Sequence, residues 1–116
     1  MPRVDPATDI RGWVLEDCCR YYEFRVVSMD DSTVRISIAV EVLRTGRFRD
    51  FFGFNRAKHA VLEAAILATR LHMISKPDVE IEFAKFRTIV DKTGGPAEHD
   101  AMDFLDDFLA KFPEGP

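Results

Sequence analysis

The chain has only two cysteines among its 116 residues, Cys18 and Cys19. Because they are adjacent, ordinary disulfide pairing between them is excluded, and so is any zinc-ligand spacing. No apolar run approaches the ~18 residues that a membrane helix needs. The opening residues, Met1-Pro2-Arg3-Val4-Asp5-Pro6, contain no apolar core of the kind a signal peptide requires. The formal net charge is only −4, which gives no general pull toward nucleic acid or an anionic membrane. Gly94-Gly95-Pro96 lacks the spacing and the Lys-Ser/Thr ending of a phosphate loop. His59, His72 and His99 share no metal-binding spacing, and no carboxylate pair accompanies them in a recognised pattern. With no disulfide framework and no leader, the sequence predicts a cytoplasmic protein.

What is present is ordinary for a globular domain: 47% apolar and 31% charged residues. The length predicts one domain that buries roughly two thirds of its unfolded surface. Residues 1–12 carry two prolines and read as a tail. Residues 13–116 read as one domain: a strand-rich part (13–52), a long helix (53–74), a helical hairpin (75–112) and a short tail (113–116). The fold class is therefore α+β.

The strand signals are periodic. Trp13-Val14-Leu15 reads as a short strand or an anchoring turn. From Arg20 the pattern alternates, with Tyr22, Phe24 and Val26 on one side and Glu23 and Arg25 on the polar side. Asp30-Asp31-Ser32 has turn chemistry, because short polar side chains satisfy nearby backbone groups. Val34, Ile36, Ile38, Val40 and Val42 then occupy every second position, and β-branched residues suit a strand. These two runs predict an antiparallel hairpin. Thr45-Gly46 is expected to break it, and Arg47 to Phe52 reads as a third strand or an aromatic loop.

The helical signals follow. Asn55 is a fitting N-cap, and Ala57, Ala60, Val61, Ala64, Leu67, Ala68 and Leu71 share one face of a helix running to about Met73. Ser75-Lys76-Pro77 opens a second helix with proline in its first turn. Val79, Phe83, Phe86 and Val90 form its stripe, and Gly94-Gly95 end it. Pro96 opens a third helix with Ala101, Phe104, Leu105, Phe108, Leu109 and Phe112 inward. Glu98, Asp100, Asp103, Asp106 and Asp107 then form a solvated acidic face.

Two or three strands are marginal alone and leave edges that can pair. The helices cannot cover both a sheet face and its edges. The strand count therefore predicts either dimerisation through the sheet or a barrel completed by strands from elsewhere. The alternative is a compact α+β monomer with short, twisted, charged edges.

Chemistry-bearing residues concentrate between Arg44 and His59. Arg47, Arg49, Arg56 and Lys58 are interleaved with Phe48, Phe51, Phe52 and Phe54 next to the helix start at Asn55. Helix N-terminal amides attract anions, and nearby cations reinforce this. Rings beside such a site could stack on a flat heterocycle, so a phosphate-bearing planar cofactor would suit it. Against this reading, arginines between apolar residues commonly form a solvated face, and phenylalanines commonly form core. Cys18 or Cys19 is expected to face the core as a small apolar residue, and no base is at hand to activate a thiol. Glu63 and Arg70, seven apart on one helix side, are surface charges or part of a dimer contact.

Gly53-Phe54-Asn55-Arg56-Ala57-Lys58-His59-Ala60-Val61-Leu62-Glu63-Ala64, continuing to Ala68-Thr69-Arg70-Leu71, resembles an uncharacterised family from methanogenic archaea and from bacteria that use tetrahydromethanopterin. Tyr21-Tyr22-Glu23-Phe24 and Ile89-Val90-Asp91-Lys92-Thr93-Gly94-Gly95 extend the resemblance over most of the chain from about Val14. The family is similar to FMN-binding split-barrel proteins, which dimerise with flavin at the subunit interface and carry a C-terminal helical extension. The resemblance implies that this chain is the C-terminal half of that fold, a partial split barrel. The family's longer N-terminal half, with its first barrel strands, has no counterpart here. It further implies FMN as cofactor, bound with a partner chain, and a homo-oligomer or a hetero-oligomer with an N-terminal-half split-barrel chain. Arg47, Arg49, Asn55, Arg56 and Lys58 would lie near the anion, with Phe52 or Phe54 near the ring. A setting in tetrahydromethanopterin-linked one-carbon metabolism follows from the same resemblance, while no residue is implied as catalytic. The competing expectation is a non-enzymatic dimerisation or scaffold module that kept the helices and lost the cofactor.

Overall fold

The structure, a computed structural model, describes residues 1–114; positions 115 and 116 of the expected tail lie outside the described residues. The elements run β1 (Val4–Pro6), β2 (Trp13–Leu15), β3 (Arg20–Asp30), β4 (Ser37–Arg47), α1 (Arg56–Ala68), α2 (Lys76–Thr93) and α3 (Pro96–Lys111). The chain divides into two compact units, Met1–Phe52 and Gly53–Pro116. This is the α+β order that the periodicities predict, with the boundary where strands give way to helices.

The strand-rich unit holds two antiparallel two-stranded sheets, β1 with β2 and β3 with β4. Residues 4–6, expected in a tail, are thus a strand paired to Trp13–Leu15. Pro6 stands at its end, where the missing N–H of proline is tolerated. The β3–β4 hairpin pairs Phe24 with Val42 and Val26 with Val40. Two register shifts leave Leu43 and Val27 as extra residues, the form of β-bulges, which add twist to a ribbon. At the turn, the Ser32 N–H donates to Asp30 Oδ1 at 2.9 Å, the local bond expected of Asp30-Asp31-Ser32. Thr45-Gly46 does not break β4, which continues to Arg47, opposite Arg20. Phe48 to Phe52 are outside any strand, so the loop reading of that run holds.

The helical unit has one core, formed by Ala57, Ala60, Ala64, Ala68 and Leu71 with Val79, Phe83 and Val90 and with Met102, Leu105 and Leu109. The α1 face is the one its 3.6-residue period predicts. The small alanines let α2 and α3 approach closely, and Phe83, Met102, Leu105, Leu109, Val79 and Val90 supply the larger buried apolar side chains. The helix ends at Ala68, earlier than expected. Thr69 Oγ1 donates to Ile66 O at 2.7 Å, and the Thr69 N–H is shared between Ala65 O and Ile66 O; such a local hydroxyl bond competes with helix continuation. Ser75 caps α2, accepting from the Asp78 N–H at 3.3 Å.

Gly94 caps the end of α2 with φ −83°, not in the left-handed form common at helix C-termini. The chain turns directly into α3 through extended residues, and the Gly95 N–H donates to Glu98 Oε2 at 2.9 Å. The buried face of α3 is also rotated from the expected stripe: Met102 is core, whereas Phe104 is 71% exposed. Its acidic face is not simply solvated, since Arg87 of α2 binds Asp103 at 2.8 Å and also binds Asp106. These contacts hold the Arg87 guanidinium above its ordinary pKa, the Asp106 hydrogen bond being the largest cause.

Candidate functional site

Gly53, with φ 97°, occupies the left-handed region that glycine enters at little cost. It leads through exposed Phe54 into Asn55, whose side-chain oxygen accepts from the Lys58 N–H at 3.2 Å. The Asn55 side-chain amide donates to Thr93 O at 3.2 Å, tying the start of α1 to the end of α2. The expected N-cap is therefore in place, with both ends of its amide engaged.

The predicted cations differ in their circumstances. Within the helical unit, Lys58 Nζ reaches Glu98 Oε1 at 3.0 Å, bridging α1 to α3. That contact, with the Gly95 amide, holds the Glu98 carboxyl below the usual carboxylate range. Arg56, exposed on the first turn of α1, has no partner among the described residues. Phe54 is 88% exposed, and its ring lies 5.8 Å from that of His59. Within the strand-rich unit, Arg47 is paired with Asp50. Arg49 Nη1 donates to Asp17 Oδ1 at 2.7 Å. The Asp17 carboxylate and then the Cys19 thiol raise the Arg49 pKa.

Beside Arg56 lies a shallow cavity of about 380 Å³, lined by Arg56, His59, Ala60 and Glu63 of α1 and by Phe86 and Ile89 of α2. Its floor is apolar, and its α1 wall carries one cation, one imidazole and one carboxylate. His99 Nδ1 lies 3.7 Å from Asp91 Oδ1. Among the described residues no group of three or more His, Cys, Asp or Glu is gathered to hold a metal.

One residue escaped the sequence reading. Glu23, expected on the polar side of β3, is 1% exposed. Its Oε1 accepts from the Asp9 N–H at 2.6 Å and the Ile10 N–H at 3.2 Å, while Oε2 lies 4.0 Å from Arg44 Nε. Arg44 in turn holds Asp9 through Nε at 2.9 Å and Nη2 at 3.3 Å. Burial raises the Glu23 pKa, but the amides of Asp9, Thr8 and Ile10 outweigh it and hold the carboxyl below its ordinary value. No local signal marks Glu23, because its partners come from a loop 13 and 14 residues away.

A strand-rich unit with long, half-bare strands, followed by three packed helices, is an α+β arrangement that others share. Residues 55–107, all within the helical unit, match the C-terminal model of the family described as Protein of unknown function (DUF447). No curated protein matches the chain. Among solved structures, the chain is similar to the FMN-bound protein MM1853 from Methanosarcina mazei, of the same family, with a TM-score of 0.73 and 20% identity. The match covers 92% of this chain and 58% of that one. At that identity the likeness establishes the fold, in line with the resemblance to a family of methanogenic archaea. Among the described residues no helix is long and apolar enough to cross a membrane.

Proposed function

We propose that this chain is a flavin-associated protein, holding FMN together with a second polypeptide that lies along its β3–β4 hairpin. The observation that carries the reading is the fold shared with an FMN-bound protein over 92% of this chain. A second observation supports the partner. Tyr22, Phe24, Val26, Val40 and Val42 of the hairpin are 44% to 58% exposed, and a two-stranded sheet is not stable on one bare apolar face. Strands from a second copy or from a different chain, equivalent to the part of the longer relative that this chain does not span, would cover that face.

On the helical unit, Arg56 fits a phosphate best. It is free among the described residues and stands where the first amides and the positive end of α1 favour an anion. Phe54 offers an exposed ring for stacking, and Asn55 and Lys58 frame the same turn. Arg47 and Arg49, on the strand-rich unit, would have to exchange a carboxylate for the ligand. FMN, when bound, supplies the redox chemistry, and the chain supplies binding and orientation. The setting in tetrahydromethanopterin-linked one-carbon metabolism rests on the family resemblance.

A scaffold that has lost the cofactor is the second reading. It is favoured by the ion pairs that already occupy Arg47, Arg49 and Lys58. Gel filtration after adding FMN, with the chain alone and mixed with a polypeptide equivalent to the unmatched part of the longer relative, separates the two. Visible flavin absorbance travelling with the protein in either sample supports flavin association. Colourless protein in both supports the scaffold.

A further inference from the structure

The cavity on α1 has a charge pattern that is complementary to itself. Arg56 and Glu63 stand seven residues apart on α1 and line the same groove, so they lie about 10 Å apart along one side of the helix. Both are exposed, and neither has an ion-pair or hydrogen-bond partner among the described residues. Between them sits Ala60, whose small side chain forms part of the floor with Phe86 and Ile89. Arg70, the other cation seven residues from Glu63, is beyond the end of α1 at Ala68 and outside the groove.

We infer that this groove is an isologous contact, in which α1 packs antiparallel against α1 of a second copy of this chain about a two-fold axis beside His59 and Ala60. In a two-fold contact the same patch meets itself, so every pair occurs twice. Antiparallel α1 helices in this register set Arg56 of each copy against Glu63 of the other, forming two reciprocal ion pairs. The same register sets His59 of each copy against Ala60 of the other, a large ring facing a small side chain over an apolar floor. Charge arrangement of this kind fixes register and orientation more than raw affinity. The contact is on the helical unit and uses the same Arg56 that the flavin reading assigns to phosphate, so the two roles of that side chain compete and the contact is tested without added FMN.

Cross-linking at the axis tests it, and the charge variants on α1 separate this contact from a dimer formed only through the hairpin, whose cross-linking would be indifferent to them. The variant His59→Cys, in a Cys18→Ser and Cys19→Ser background, should give a covalent dimer under mild oxidation. Adding Glu63→Arg, which sets two cations against each other twice, should weaken association about tenfold and reduce the cross-linked fraction. Combining Arg56→Glu with Glu63→Arg should restore it, since both pairs re-form with their signs exchanged. All substituted positions are on the helix surface or outside the helical core, and circular dichroism verifies that each variant keeps its helices. Absence of the covalent dimer overturns the inference, and so does a cross-linked fraction indifferent to the charge pattern.

Discussion

The ring of Tyr21 lies across the backbone of Gly46, its cross-strand partner, and fills the space that a Cβ at position 46 would occupy. The same ring packs against Phe48 at 5.6 Å between centroids. An aromatic side chain over a glycine in this way covers the weak point of a strand and pins its register. Gly46→Ala should therefore cost about 1–3 kcal/mol through overpacking, read as a lower midpoint in urea unfolding. In a Tyr21→Ala background the same substitution should cost clearly less, since neighbouring sites are not additive. Equal costs in both backgrounds would remove Tyr21 as the cause.

Glu23 predicts a pH dependence with a definite sign. Its folded pKa is depressed by the amides of the 8–10 loop. Its contribution to stability is then present above the unfolded pKa and is lost as pH falls through the folded one. Amide exchange at Asp9 and Ile10, corrected for the intrinsic pH effect, should speed up across that acid range. In Glu23→Gln these amides should be less protected at neutral pH and should show little further change on acidification. Protection that is the same in both proteins would contradict the assignment.

Much of this was legible in the sequence, and the exceptions share physical causes. The α1 face and its Asn55 cap could be read because period and capping depend on local spacing. The hairpin could be read because Phe24, Val26, Val40 and Val42 alternate. The strand at Val4–Pro6 was hidden by its proline and its length of three residues. Gly46 read as a strand breaker because the compensating ring comes from Tyr21, 25 positions earlier. The rotation of α3 was hidden because Met102 and Phe104 are both apolar, and only packing decides which goes inside. Glu23 read as solvent-facing because a carboxylate on a strand usually is. Of the candidate site, the run of cations was visible, but which of them already hold carboxylates was not.

Arg56 separates the candidate contacts to phosphate. Arg56→Ala should weaken FMN retention roughly tenfold, the scale of one charge-assisted hydrogen bond. Arg47→Ala and Arg49→Ala should have smaller effects, because those side chains are already paired with Asp50 and Asp17. Fluorescence titration of FMN against each variant ranks the three. Retention unchanged in Arg56→Ala would remove the anion site from α1.

The most direct test of the central claim is the mass of the protein in solution when the apolar face of the hairpin is altered. Sedimentation at micromolar concentration should be made in a Glu63→Arg background, so that contact through α1 contributes about tenfold less. The account predicts a particle heavier than one chain, or a chain that gains mass when the complementary polypeptide is added. Substituting Val26→Glu and Val40→Glu on that face should abolish the gain. A folded single chain that recruits nothing and is indifferent to those two substitutions would contradict it.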